Sequence, residues 1–131
     1  MPAAPLIYTS GVAGTTAISG ATEVVVATCA GIATRYAGQT IKLQGRALLT
    51  TPGSTTAVIL QCRKFSLTGT QVGDHTGQTV ITAAADTNIY EVNASDTPGD
   101  VTGYSYVLTV TCTGGSGAGS CVYAELTARV D

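Results

Sequence analysis

The side chains with the most chemistry in this 131-residue chain are one histidine, four cysteines and a handful of scattered carboxylates. His75 sits in Gly73-Asp74-His75-Thr76-Gly77, where Asp74 would have to orient it as a general base. Neighbouring turn residues do not aim at one point, and no Gly-x-Ser-x-Gly context supplies a nucleophile, so His75 reads as an exposed turn residue. Asp96 and Asp100 flank Pro98-Gly99 and offer oxygens to a calcium ion, but calcium loops stack more carboxylates than this. Asp96 is read instead as capping the turn through its own backbone. Glu23, Glu91 and Glu125 fall mid-strand, with no spacing that brings two of them within the roughly 5–10 Å that glycoside hydrolysis needs. The expectation is a protein that is not an enzyme and holds no cofactor and no metal.

Cys29, Cys62, Cys112 and Cys121 lack the paired spacings of a zinc site. A Cys112–Cys121 disulfide is one reading and buried free thiols are the other. Cys112 lies on the apolar phase of its strand and Cys121 on the opposite phase of the next, so that bridge requires a bulge or a loop position at Cys121. Asn93-Ala94-Ser95 matches the N-glycosylation pattern, read here as a chance match in a chain rich in Ser and Thr. Tyr8, Tyr36, Tyr90, Tyr104, Tyr106 and Tyr123 could line a sugar-binding face. With no tryptophan in the chain, packing and subunit contacts are expected to take most of them.

Charged residues make up 11% of the sequence and the net charge is -2. The surface must therefore be dominated by Thr, Ser, Gly, Gln and Asn. Such a surface suits a protein whose outer faces are partly covered in an assembly, and equally a polar, uncharged extracellular domain. Arg35, Lys42, Arg46, Arg63, Lys64 and Arg129 are scattered, which argues against nucleic-acid binding through a basic patch. Met1-Pro2-Ala3-Ala4-Pro5 has neither a basic nor an apolar signal region, and no run is long enough for a membrane helix. The expectation is a soluble protein with no membrane partner.

The elements that position these residues are strands. Tyr106, Leu108, Val110 and Cys112 alternate with Ser105, Val107, Thr109 and Thr111; after a Gly-rich stretch, Val122, Ala124, Leu126, Ala128 and Val130 alternate with Tyr123, Glu125, Thr127 and Arg129. That period of two predicts a terminal β-hairpin over 104–131 with one face in a core. Residues 22–29 are rich in β-branched types. Ile41, Leu43, Gly45, Ala47 and Leu49 mark the inner side of a strand over 40–50. Thr51-Pro52-Gly53-Ser54 predicts a type II turn, with positive φ at Gly53, closing a hairpin with the strand at 56–65. Gln61 and Arg63 fall on the solvent side of that strand. Shorter strands are expected at 78–83 and 89–93. Together these predict an all-β, antiparallel, jelly-roll-like sandwich of about eight strands. Residues 22–131 form the sandwich domain and 1–21 an extended arm or edge strand, too Gly-rich to pack alone.

Asp96-Thr97-Pro98-Gly99-Asp100-Val101-Thr102-Gly103-Tyr104-Ser105-Tyr106-Val107-Leu108-Thr109-Val110, followed by the Gly-Ser loop and Ala124-Glu125-Leu126-Thr127-Ala128, resembles small virion β-sandwich proteins of tailed bacteriophages. The likeness extends upstream through Ala57-Val58-Ile59-Leu60-Gln61-Cys62-Arg63-Lys64 and Gly69-Thr70-Gln71-Val72-Gly73. It implies a homotrimer on the capsid surface of a virion, decorating or cementing the capsid, with the major capsid protein and itself as partners. The four cysteines depart from the family's pattern. In that role the N-terminal stretch lies on a neighbour, with Leu6, Ile7, Tyr8, Val12 and Ile18 as the partner-binding residues. The alternative is a carbohydrate- or receptor-binding knob of a phage fibre, using the loops at 69–77, 95–103 and 113–120.

Overall fold

The computed structural model describes residues 6–73, 79–80, 87–98 and 103–130. Period-two alternation becomes nine strands: β1 (Leu6–Ser19), β2 (Val24–Ile32), β3 (Ile41–Thr50), β4 (Ala57–Lys64), β5 (Gln71–Val72), β6 (Thr79–Val80), β7 (Thr87–Asp96), β8 (Tyr104–Thr113) and β9 (Ala118–Val130). No helix occurs among the described residues, and none is long and apolar enough to cross a membrane. His75, Asp74 and Asp100 lie outside the described residues, as does most of the strand expected over 78–83.

The strands form two antiparallel sheets, β1-β9-β3-β7 and β2-β8-β4-β5, with β6 also pairing to β4. The pairings nest: β4 with β5, β3 with β7, β2 with β8, and β1 with β9. This is one long antiparallel ribbon rolled up so that successive strands pass between sheets, the order of a jelly roll. Among the described side chains, the strands give their apolar phase to the space between the sheets. Ile41, Leu43, Ala47 and Leu49 meet Leu60, Tyr106, Leu108 and Val110, and all are buried. Gly45 completes the β3 row because a Cβ there would lie 2.6 Å from a Leu108 methyl. The large leucine fills the space that the small residue leaves.

Both expected hairpins are corrected by this topology. β8 belongs to one sheet and β9 to the other, and so do β4 and β3; the Gly-rich loop and the Pro-Gly segment are arches across the sandwich. Period two identifies a strand and its buried phase, but carries no information about its partner. The arches pack on each other. The Ser116 N–H donates to the Gly53 carbonyl at 2.7 Å, and a Cβ at Gly119 would meet the Thr50 carbonyl at 2.5 Å. Positive φ falls on Ser54 rather than Gly53, because Gly53 is held in a bridge to Ser116. The type II turn is therefore not formed as expected.

The N-terminal stretch lies along its own domain. β1 pairs with β9 from Leu6↔Val130 to Ser19↔Ala118, forming one edge of the first sheet, with β7 at the other. A β-bulge in β9 explains the phase problem at Cys121. Leu48 pairs with Tyr123 and Leu49 with Cys121, so Val122 is the extra residue. Cys121 and Ala124 both turn inward while Val122, expected inside, is exposed.

Candidate functional site

The outward faces of the two sheets differ, and the difference begins with one carboxylate. Gln61 and Arg63 are two apart on β4, and Thr109 pairs with Gln61 on β8, so the three side chains share the outer face of the second sheet. Glu23, in the turn entering β2, reaches across them. Its Oε2 accepts hydrogen bonds from Thr109 Oγ1 at 2.6 Å, Arg63 Nε at 2.7 Å and Gln61 Nε2 at 3.1 Å. Its Oε1 accepts from an Arg63 terminal nitrogen at 3.0 Å, and the other terminal nitrogen donates to the Gly69 carbonyl. Burial pushes the Glu23 carboxyl up, but the donors Arg63, Thr109 and Gln61 together with the Arg63 charge outweigh it and hold the group below its ordinary value. Thr109, on the solvent phase of β8, is consequently 0% exposed. With its oxygens taken up by Arg63, Gln61 and Thr109, and the Thr109 hydroxyl itself fully buried, Glu23 is a clasp for this face.

A second cluster closes the end of the sandwich where β4, β7 and β8 meet. The buried Tyr106 hydroxyl donates to Asp96 Oδ2 at 2.6 Å, and Lys64 Nζ lies 3.4 Å from the same oxygen. Burial first, and then Asp96, push the Tyr106 hydroxyl far above the tyrosine range. Asp96 therefore serves the core tyrosine; Gly99 and Asp100, in the turn that the sequence reading has it cap, lie outside the described residues. Lys64 also stands 4.6 Å over the Tyr104 ring. Next to it, Phe65 has φ of 73° and is 58% exposed. The Ser66 N–H donates to the Lys64 carbonyl, making Phe65 the centre of a positive-φ γ-turn, a rare and strained conformation.

The outer face of the first sheet is open. Strand register lines its side chains up in rows across β9, β3 and β7: Arg129, Lys42 and Ser95; Thr127, Gln44 and Asn93; Glu125, Arg46 and Glu91; Tyr123, Leu48 and Ile89. Arg46 pairs with Glu91 at 3.3 Å and the Tyr123 hydroxyl donates to Glu125 at 2.9 Å. Glu91 and Glu125 thus flank an arginine, and Glu23 stands on the other sheet. Ile89 is 60% exposed, and Leu48, Ile89, Tyr123, Ala47 and Arg46 line a depression of about 140 Å³. The Asn93 of the glycosylation pattern is exposed on the same face.

Of the N-terminal residues expected to bind a partner, Ile7 is exposed. Tyr8 packs against the core, and Ile18 is buried at 1% exposure, where the strand pairing turns it inward. Those two anchor β1 instead of facing outward; the side chains of Leu6 and Val12 lie outside the described ones. All four cysteines are buried free thiols, so the Cys112–Cys121 bridge is not formed even though Cys112 lies on the inward phase of β8 and the bulge turns Cys121 inward as well. Burial pushes the Cys62 thiol up to about 12. No cluster of metal-ligating side chains occurs among the described residues. Sequence reasoning missed the Glu23 clasp, the Phe65 turn and the Leu48–Ile89–Tyr123 depression. The period-two spacing of Gln61 and Arg63 was the available signal for the first, and nothing local marked the other two.

No protein-family model and no curated protein matches the sequence. In fold, the chain is similar to the infectious bursal disease virus VP2 subviral particle, at 13% identity and a TM-score of 0.58 over 95% of this chain and 32% of that one. It is likewise similar to the infectious bursal disease virus Gx strain structure, at 14% identity and a TM-score of 0.55 over 95% and 32%. The T13 particle of the same virus matches at 14% identity and a TM-score of 0.54 over 95% and 31%. The chain spans about a third of the length of these viral particle chains, and what it shares with them is the β-sandwich fold.

Proposed function

We propose that this chain is a structural virion protein that decorates a capsid and cements it by binding across neighbouring capsid subunits. The observation that carries the reading is the rolled ribbon itself, which runs over nearly the whole chain in the same fold as part of a viral capsid chain. Its polar chemistry is consistent with that role. The clasp on the second sheet and the Tyr106–Asp96–Lys64 cluster spend their groups on holding strands together, and the first sheet leaves an outer face with exposed apolar residues. Cementing requires no reacting group. A protein that binds two subunits at once stabilises their association by its own binding free energy, and needs roughly 1,200–2,000 Å² of buried surface to do so specifically. The tailed-phage setting, the trimeric state and the capsid-surface location follow the sequence resemblance and belong to the same proposal.

The test is genetic and physical: particles assembled without this protein are heated beside complete ones. Release of genome at a lower temperature, restored when purified protein is added back, is the expected result. Particles of unchanged stability and an unchanged add-back curve would refute cementing.

A further inference from the structure

Charge is graded along the outer face of the first sheet. Register sets Arg129 of β9 directly opposite Lys42 of β3, with Ser95 of β7 beyond. The next row, Thr127, Gln44 and Asn93, is neutral and polar, and the row after it, Glu125, Arg46 and Glu91, carries two carboxylates to one cation. Opposed like charges weaken a sheet. Folding alone therefore gives no reason to set Arg129 against Lys42, whereas an anion held between them turns repulsion into attraction.

The first two rows are concave. Lys42, Arg129, Gln44, Asn93 and Thr127 line a depression of about 290 Å³, walled on the β1 side by Ile7, which is 63% exposed. A second depression of about 380 Å³ adjoins it at Lys42 and Asn93 and adds Thr40 and Ser95. Together they cross β9, β3 and β7, two strand spacings or roughly 10 Å, which is room for a disaccharide rather than a single ion. The side chains match such a ligand. A guanidinium grips a carboxylate with two parallel hydrogen bonds and an ammonium adds a point charge. The amides and hydroxyls both donate and accept, as sugar hydroxyls do. The acidic third row, about 14 Å from the first at the rise of a strand, repels a ligand that is charged along its whole length, such as a nucleic-acid strand. Neither cation has to be idle for this, because exposed ion pairs are weak and exchange partners readily.

We propose that the Lys42–Arg129 depression binds an acidic saccharide, its carboxylate held between the two cations and its neutral hydroxyls laid along Thr127, Gln44 and Asn93. The inference concerns the isolated protein and does not depend on a capsid, so it and the decoration proposal fail in different experiments.

The test is NMR titration of the isotope-labelled full chain with 3′-sialyllactose and with a disaccharide ending in glucuronic acid. Lactose, citrate and a thymidine decanucleotide serve as controls. The expected result is saturable amide shifts at Lys42, Gln44, Asn93, Thr127 and Arg129 with at least one of the acidic saccharides, and binding about tenfold or more weaker for every control. Lys42→Gln and Arg129→Gln each weaken binding by about tenfold, the loss of one charge-assisted contact at an exposed site, and Arg46→Gln leaves it unchanged. Circular dichroism melts establish that all three variants fold. Shifts confined to other residues, no saturation with either acidic saccharide, a control that binds as tightly, or Lys42→Gln and Arg129→Gln variants that bind as well as wild type would overturn the proposal.

Discussion

Replacing Glu23 by alanine removes the acceptor for four hydrogen bonds and leaves Arg63, Gln61 and Thr109 without their shared partner. Breaking a fully buried ion pair from one side costs about 3–5 kcal/mol, because the remaining charge stays out of water. The Arg63 and Glu23 side chains keep 21% and 22% of their surface exposed. Water can therefore solvate part of what is orphaned, and we take about half of that cost, roughly 2 kcal/mol. For a chain of this size that corresponds to a fall of about 6–10 °C in the melting temperature. Urea denaturation of Glu23→Ala, Arg63→Ala and the double variant closes a cycle whose coupling is expected at about 1–2 kcal/mol. The effect has a pH signature. The folded carboxyl titrates below its ordinary 4.5, so the unfolded chain takes up its proton first on acidification. The stabilisation is complete above that ordinary value and disappears as pH falls through the folded value. The gap between wild type and Glu23→Gln should therefore narrow in acid and stay constant from pH 6 to 8. A single variant within about 0.5 kcal/mol of wild type, the ordinary range for a surface substitution, or a gap that ignores pH would refute the clasp.

Three further outcomes follow from the core. Gly45→Ala is expected to destabilise by about 1–3 kcal/mol through overpacking against buried Leu108, which chemical denaturation will read; a neutral result would mean that the sheets separate easily at their centre. Tyr106→Phe should cost about 1.5–3 kcal/mol, the range for a hydrogen bond to a charged acceptor, and adding Lys64→Met to it should not be additive. The cysteines should resist a thiol reagent at neutral pH in the folded protein, since burial pushes Cys62 up to about 12 and raises Cys29, Cys112 and Cys121 as well. All four should react at once in denaturant without reductant; fewer would mean that a disulfide exists.

The strands and their buried phases were legible in the sequence because alternation is a local property. Tyr106 to Cys112 and Ile41 to Leu49 turn inward as their spacing predicts. Partnership was not legible. Pro52-Gly53 and the Gly-rich loop carry turn chemistry that serves an arch as well as a hairpin, and only the rolling of the whole ribbon decides between them. The phase at Cys121 failed for a physical reason: one extra residue, Val122, reverses the alternation for everything before it. Glu23 could not be assigned because its partners stand 38, 40 and 86 residues away in sequence. Phe65 looked like the last residue of a strand, and its positive φ is imposed by hydrogen bonds to Ser105 and between Lys64 and Ser66 that no local pattern announces.

The central claim, a capsid-decorating structural protein, is tested most directly by titrating purified protein onto particles stripped of it and measuring bound protein by co-sedimentation. Saturable binding at a fixed ratio to the capsid subunit, accompanied by a higher disruption temperature of the loaded particles, is the expected result. Protein that stays in the supernatant at every concentration, or binds without changing that temperature, would contradict it.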